Sequence, residues 1–141
     1  MAKSKIFVSF DYERDRQYKY TLDMWSNNSN FEFTYDDRSS GAIQSQSVSI
    51  VKNVLSRKIN EATTVIVIVG VDANKAHPDR NEIGFRNWQN FETAKAKELG
   101  KRLIAVQINS QYDYPEELIR ANATRVYSFT QDAIIKAVRG W

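Results

Sequence analysis

The chain has 141 residues, 42% of them hydrophobic and 12% aromatic, which is enough for one full core and too few for two ordinary domains. Its 20 basic and 17 acidic residues leave a net charge of +3, but the basic residues are scattered, so we expect no nucleic-acid partner. Cysteine is absent and histidine occurs once, which excludes disulfides and cysteine-ligated zinc and disfavours histidine metal sites and triads.

The first residues, 1–5, lead directly into a short strand without the apolar core of a signal peptide. No later apolar stretch approaches the roughly 20 residues that are needed to span a bilayer. We therefore expect a cytoplasmic protein with no membrane partner, folded as one domain over residues 1–141.

Two βα units open the chain. Ile6–Phe10 reads as a strand, and the polar cluster 11–15 ends it. Tyr18, Leu22 and Trp25 then recur at helical spacing. A second strand, Phe31–Tyr35, is followed by a long polar loop over 36–47, and loops of that length are usually functional or disordered.

The central part of the chain predicts a buried strand between two helices. Val48, Val51, Leu55 and Ile59 mark one face of a helix, and the continuous β-branched run Val65–Val69 follows it. Such a run is typical of a strand that is buried on both faces of a parallel sheet. After a polar connection over 70–84, a third helix is predicted from about Phe85 to Leu99, ended by Gly100.

The remaining elements complete an alternating βα pattern. They are a strand over Leu103–Ile108, a short helix over Pro115–Arg120, a last strand over Arg125–Phe129 and a closing helix over Gln131–Val138. This alternation predicts an α/β fold: a single three-layer, flavodoxin-like domain with a five-stranded parallel sheet in the order 2-1-3-4-5. Ligands of such folds bind where the strand order reverses, in the crevice between the carboxyl ends of the first and third strands.

Trp88 and Glu92 are the leading candidates for chemistry at that crevice. They lie four residues apart, so both side chains occupy one face of the third helix and form an indole wall beside a carboxylate. The alternative is that Trp88 packs on the sheet while Glu92 pairs with Lys95 in solvent, as most helical glutamates do.

Two loops offer further candidates. Asp11, which follows Ser9 and Phe10 at the end of the first strand, could contact a ribose hydroxyl or cap the next helix. Asp37 and Arg38 could close over a ligand, with Arg38 on a phosphate, or form a salt-bridged loop. Glycine-rich phosphate-binding motifs are absent, and His77 is expected at the surface.

With these residues in order, the chain resembles the TIR-like domain family, nearest to the signal-producing subunit of bacterial Thoeris antiphage defence. The resemblance spans nearly the whole chain and is carried by four segments taken together. They are the opening strand 5–12, the Asp36-Asp37-Arg38 loop, the strand Val65 to Gly70 and the helix start Trp88-Gln89-Asn90-Phe91-Glu92.

The resemblance implies an enzyme that cleaves NAD between nicotinamide and ribose and makes a cyclic or conjugated ADP-ribose signal for a partner effector. NAD would be the substrate, and no cofactor or metal would be needed. Self-assembly into a homo-oligomer could be part of its regulation. Glu92 would be the catalytic carboxylate. The other implied roles are ribose or nicotinamide contacts from Ser9 and Asp11, pocket walls from Phe10 and Trp88, and contacts of Asp37 and Arg38 with the adenosine phosphates.

Three other functions compete with this interpretation. A phosphoacceptor receiver has the same sheet, and Asp11 and Asp72 imitate part of its acidic site, but no lysine follows Tyr127 at the end of the last strand. A non-catalytic TIR-like module would bind a nucleotide or another TIR domain without turnover. A nuclease would need Asp11, Asp36, Asp37 and Asp72 to converge on a metal, and their spacing matches no defined motif.

Overall fold

The structure is a computed structural model that describes residues 4–26, 31–35 and 47–139. Within these ranges strands and helices alternate along the chain. In order they are β1 (Ser4–Ser9), α1 (Tyr12–Ser26), β2 (Phe31–Tyr35), α2 (Val48–Glu61), β3 (Thr64–Val69), α3 (Arg80–Ile83), α4 (Trp88–Glu98), β4 (Arg102–Gln107), α5 (Glu116–Ile119), β5 (Thr124–Val126) and α6 (Gln131–Val138).

The strands form one parallel sheet in the order β2-β1-β3-β4-β5, which is the order expected from the sequence. The architecture is that of flavodoxin-like α/β domains. The β1–β3 register runs from Ile6 opposite Thr64 to Ser9 opposite Val67. Because the order reverses between β1 and β3, their carboxyl ends open a crevice directly beyond Ser9 and Val67.

Side chains of β1, β3 and β4 alternate between two buried faces. Phe7 faces a core cluster formed with α2, α3, α4 and α5, whereas Ile6 and Val8 face a second cluster formed with α1 and α6. Every residue of β3 is buried, so the continuous apolar run is the buried strand that the sequence predicted. The domain is therefore a sheet between two helical layers, and Ser9 shares the parity of Phe7 and faces α4.

Several element boundaries differ from the sequence-based prediction. Helix α1 begins at Tyr12, so most of the polar cluster 11–15 is helical. The predicted start of the third helix at Phe85 is wrong, because Asn87 adopts extended backbone and caps α4 from outside. The short helix α3 lies inside the predicted loop over 70–84 and ends at Gly84, whose φ of 82° is left-handed.

The last strand is shorter than expected. It ends at Val126, and the next residue, Tyr127, is 69% exposed. Phe129, predicted in the strand, instead packs against Tyr18 of α1 with ring centroids 4.7 Å apart. The predicted loop with Asp37 and Arg38 falls in 36–46, outside the described residues. Among the helices that the structure describes, none combines the length and apolar character needed to cross a membrane.

Candidate functional site

Glu92 is buried at the carboxyl end of the sheet. Its side chain lies in the second turn of α4 and has 0% exposed surface. The hydroxyl of Ser9, which is also fully buried, donates a hydrogen bond to Glu92 Oε1 at 2.6 Å. That distance is at the short end of the range for a hydrogen bond between two oxygen atoms. The expectation of a solvated Glu92 paired with Lys95 is wrong, since Lys95 Nζ instead lies 2.8 Å from Glu98 Oε2.

The sequence brings these two residues together through two periodicities. Ser9 is the last residue of β1, and strand alternation turns it to the same face as Phe7, under α4. Helix α4 starts after Asn87 and contacts both β1 and β3. One turn into that helix, Glu92 faces the end of β1, 83 residues away in sequence from the serine that binds it.

A third polar residue, Gln89, completes this contact between helix and sheet. It is 4% exposed, and its side-chain Nε2 donates to the carbonyl oxygens of Ile68 at 2.9 Å and Ser9 at 3.4 Å. Gln89 is not among the candidate residues named from the sequence. The signal available was its position three residues before Glu92, which places both side chains on one helical face.

Trp88 packs into the core beside this site, as the alternative interpretation expected. It is nearly buried, and its indole meets the ring of Phe91 edge-on with centroids 5.7 Å apart. The ring of His77 approaches the indole at 6.5 Å, also edge-on. His77 is half-buried rather than exposed as predicted, and its Nδ1 accepts a hydrogen bond from the Asp79 amide.

The structure does not place the side chains of Phe10 and Asp11 beside Glu92. Phe10 is buried in the cluster with α1 and α6, on the face of the sheet opposite α4. Asp11 Oδ1 accepts a hydrogen bond from the backbone amide of Arg14 at 3.2 Å, which is the geometry of a helix N-cap. The capping role considered for Asp11 is therefore present, and a ribose contact from Asp11 stays a prediction.

Asp15, one turn further along α1, is a second buried carboxyl group. It is 4% exposed, and its Oδ2 has no hydrogen-bond partner among the described residues. Burial raises the pKa of Asp15 to about 7, and the negative charges of Asp11 and Asp72 add to the rise, whereas Arg14 opposes it. The carboxyl group lies directly against Gly70 at the end of β3.

An exposed ion pair joins the two sides of the crevice. Arg14 Nε of α1 lies 3.2 Å from Asp72 Oδ2, in the turn after β3. It thus links the first turn of α1 to the loop after β3.

Three asparagines fix the start of α4. Asn87 Oδ1 accepts from the Asn90 amide at 2.9 Å, and Asn87 Nδ2 donates to the carbonyls of Ala73 and Lys75, each at 2.9 Å. Asn90 Nδ2 also donates to Asn74 Oδ1 at 3.1 Å. This asparagine network, formed by residues 74, 87 and 90, ties α4 to the loop after β3.

The same network reaches the next helix. Asn90 Oδ1 accepts from the Glu117 amide at 2.9 Å, and Asn74 Oδ1 accepts from the Glu116 amide at 3.0 Å. Helix α5 is thus held at its first turn by side chains from two other elements.

Two other features of the described residues bear on site chemistry. No three histidine or acidic side chains among them are grouped so that they could hold a metal ion. A groove of about 530 Å³ lies on the outer side of α4, away from Glu92. Its lining is Phe85, Ala94, Lys97, Glu98, Glu117 and Arg120, and an ion pair between Arg120 and Glu117 spans part of it.

Comparison with known proteins identifies a family and similar solved structures. The sequence matches the family described as the TIR-like domain of the Thoeris protein ThsB over residues 7–113, more than half of the chain. In structure the chain is similar to a 2-deoxyribosyltransferase from the psychrotolerant bacterium Bacillus psychrosaccharolyticus, with a TM-score of 0.56 and 12% identity. This similarity covers 98% of this chain and 92% of the other, and it shows the fold alone. No curated protein matches the sequence.

Proposed function

This chain belongs to the TIR-like domain family of the Thoeris protein ThsB, a family of defence signalling modules, and we propose that it cleaves NAD between nicotinamide and ribose with Glu92 as the catalytic carboxylate. The observation that carries the proposal is the buried Glu92, bonded to Ser9 where β1 and β3 part. Carboxyl ends of strands at a reversal of strand order are where open α/β sheets bind ligands.

The chemistry needs a negative charge more than a nucleophile. When neutral nicotinamide leaves, the ribose develops oxocarbenium character, and a nearby carboxylate stabilises that positive charge. Such stabilisation is strongest where water is excluded and the anion does not have to reorganise. The Ser9 hydroxyl supports this role because it binds one carboxylate oxygen of Glu92 at 2.6 Å and so fixes its orientation.

The burial of Glu92 means that the protein must change conformation before substrate can reach it. With 0% of its surface exposed, Glu92 reaches no ligand in this conformation. Turnover therefore requires that groups over the carboxylate move when NAD binds, when copies assemble, or when an activating partner acts. Movements that open an active site take microseconds to milliseconds in many enzymes.

The remaining roles are proposals of the same kind. Asp11 would bind the ribose or the nicotinamide amide at the mouth of the crevice, and Trp88 would shape one of its walls. Asp37 and Arg38 would approach the adenosine phosphates. The product would be an ADP-ribose-derived signal, in cyclic or conjugated form, that activates a partner effector.

Release of free nicotinamide tests the proposal directly. The purified protein is incubated with NAD, with and without an activating partner, and nicotinamide is measured by chromatography. Glu92→Gln and Glu92→Ala are expected to lower the rate by at least about 100-fold, since the transition state loses its counter-charge. Mass spectrometry of the second product then separates hydrolysis from cyclisation.

Glu98→Gln is the matched control. Glu98 lies on the same helix, but its carboxylate is exposed and paired with Lys95, so its loss should leave the rate unchanged. Turnover that persists in both Glu92 variants would refute the assignment of Glu92. An inactive parent protein under every condition would favour a non-catalytic signalling module.

A further inference from the structure

The side-chain amide of Gln89 joins β1 and β3 at the base of the crevice. The β1–β3 register ends at Ser9 opposite Val67, so the carbonyls of Ser9 and Ile68 lie where the strands begin to part. Gln89 Nε2 carries two hydrogens and donates to both of these carbonyls, at 3.4 Å and 2.9 Å. The amide therefore bridges the two strands at their point of separation.

Ser9 is consequently held to α4 at two points. Its carbonyl accepts from Gln89, and its hydroxyl donates to Glu92, three residues further along the same helix. One contact fixes the backbone from which the Ser9 hydroxyl projects, and the other uses that hydroxyl to orient the carboxylate. All three residues are at least nine-tenths buried, so water offers no easy substitute for either bond.

Resting on the proposed NAD cleavage, we propose that Gln89 is a positioning residue that sets the orientation of the Glu92 carboxylate through Ser9. Gln89 Nε2 binds two backbone carbonyls, one of them that of Ser9. Its loss would free the end of β1 to shift, and the Ser9 hydroxyl would shift with it. Glu92 would keep its charge and lose its fixed direction, which lowers the rate of the chemical step more than substrate binding.

The test is a double-mutant cycle between Gln89 and Ser9. Gln89→Met keeps the length of the side chain and removes both donors, and it is expected to lower kcat about 10- to 100-fold with KM changed less than about threefold. When Ser9 is already replaced by alanine, Gln89→Met should lower kcat by less than about threefold. The Ser9 hydroxyl, through which Gln89 acts on Glu92, is then missing. Fully additive losses would show a structural role alone and would overturn the inference.

Asn90→Ala is the matched control. Asn90 is a fully buried amide on the same helix, next to Gln89, and its bonds run to Asn74, Asn87 and Glu117. Its loss should lower the stability about as much as Gln89→Met and leave kcat within about threefold of the parent. An equal fall in kcat for both variants would contradict the inference.

A measurement without NAD separates this inference from the proposed function. The side-chain carboxyl carbon of Glu92 is followed by ¹³C NMR and assigned by its disappearance in Glu92→Gln. Gln89→Met should move this resonance, whereas Asn90→Ala should leave it in place. A moved resonance in a protein that does not cleave NAD would retain Gln89 as a positioning residue and reject the enzyme. An unmoved resonance would reject the positioning role, whether or not NAD is cleaved.

Discussion

The carboxyl group of Asp15 occupies the space that a side chain at Gly70 would need, so that helix α1 and the end of β3 approach more closely there than any other residue at position 70 would allow. The contact places a buried acid beside the crevice, on the face of the sheet opposite Glu92. It also couples two elements that are more than 50 residues apart in sequence. Stability and titration at this contact can therefore be tested separately from catalysis.

Replacing Gly70 by alanine should destabilise the fold. A Cβ at this position would clash with the Asp15 carboxyl group, and forcing extra atoms into a packed site costs about 1–3 kcal/mol. Urea unfolding measures the change in the free energy of unfolding. Asp15→Ala in the same chain should recover much of the loss, because it removes the clashing atoms. If the two changes simply add, the contact is not the cause.

Asp15 should make the protein less stable as the pH rises from about 4 to about 7. Its pKa in the folded state is about 7, above the ordinary value of 3.8, so folding favours the protonated form. The stabilisation is complete below the unfolded pKa and is lost as the pH passes through the folded pKa.

Asp15→Asn removes this titration. Between pH 4 and pH 8, the free energy of unfolding of the variant should rise by about 2 kcal/mol relative to that of the parent, after allowance for solvent screening. Urea unfolding at several pH values measures that difference. A gap between variant and parent that stays constant with pH would show that Asp15 titrates alike in the folded and unfolded chains.

The two charges at the mouth of the crevice should move the titration of Asp15 in opposite directions. Asp72 raises the pKa of Asp15 and Arg14 lowers it. Asp72→Asn is therefore expected to lower that pKa, and Arg14→Ala is expected to raise it. Each change should be less than about one pH unit, because the pair is exposed and screened by salt. ¹³C NMR of the Asp15 carboxyl carbon measures this pKa in each variant. A pKa change of the same sign in both variants would contradict the charge assignment.

Asn87 should contribute more to stability than an ordinary helix cap. Its Oδ1 caps α4 through the Asn90 amide, while its Nδ2 donates to two loop carbonyls. Asn87→Ser keeps a capping oxygen and loses both donors, at a cost of about 1–3 kcal/mol. Asn87→Ala loses the cap as well and should cost about 1 kcal/mol more. Equal losses in urea unfolding would mean that the cap itself contributes nothing.

The elements with strong local patterns were predictable from the sequence. The β-branched run gave β3 within one residue, and Gln131–Val138 matches α6 at both ends. The prediction was wrong where a helix cap or a tertiary contact sets the end of an element. Asn87 moves the start of α4 by three residues, and the contact of Phe129 with Tyr18 takes that ring out of β5.

The candidate site was predictable in part. The βα alternation places Ser9 and Glu92 at the same crevice, and both are there. The burial of Gln89 and Glu92 was not predictable, since polar residues on a helix ordinarily face solvent. Their partners are Ser9 and Ile68, which are 21 to 83 positions away in sequence, and hydrophobic periodicity carries no information about such pairs.

The asparagine network consists of neutral amides at every node. Amides do not titrate in the physiological range, and ionic strength acts weakly on bonds between uncharged groups. Acidification or added salt would therefore act on the α1 border of the crevice, where Asp15, Arg14 and Asp72 meet, and would leave the asparagine network unchanged. The hydrogen bonds that hold the start of α4 should therefore persist when pH or ionic strength alters the charges on the α1 border.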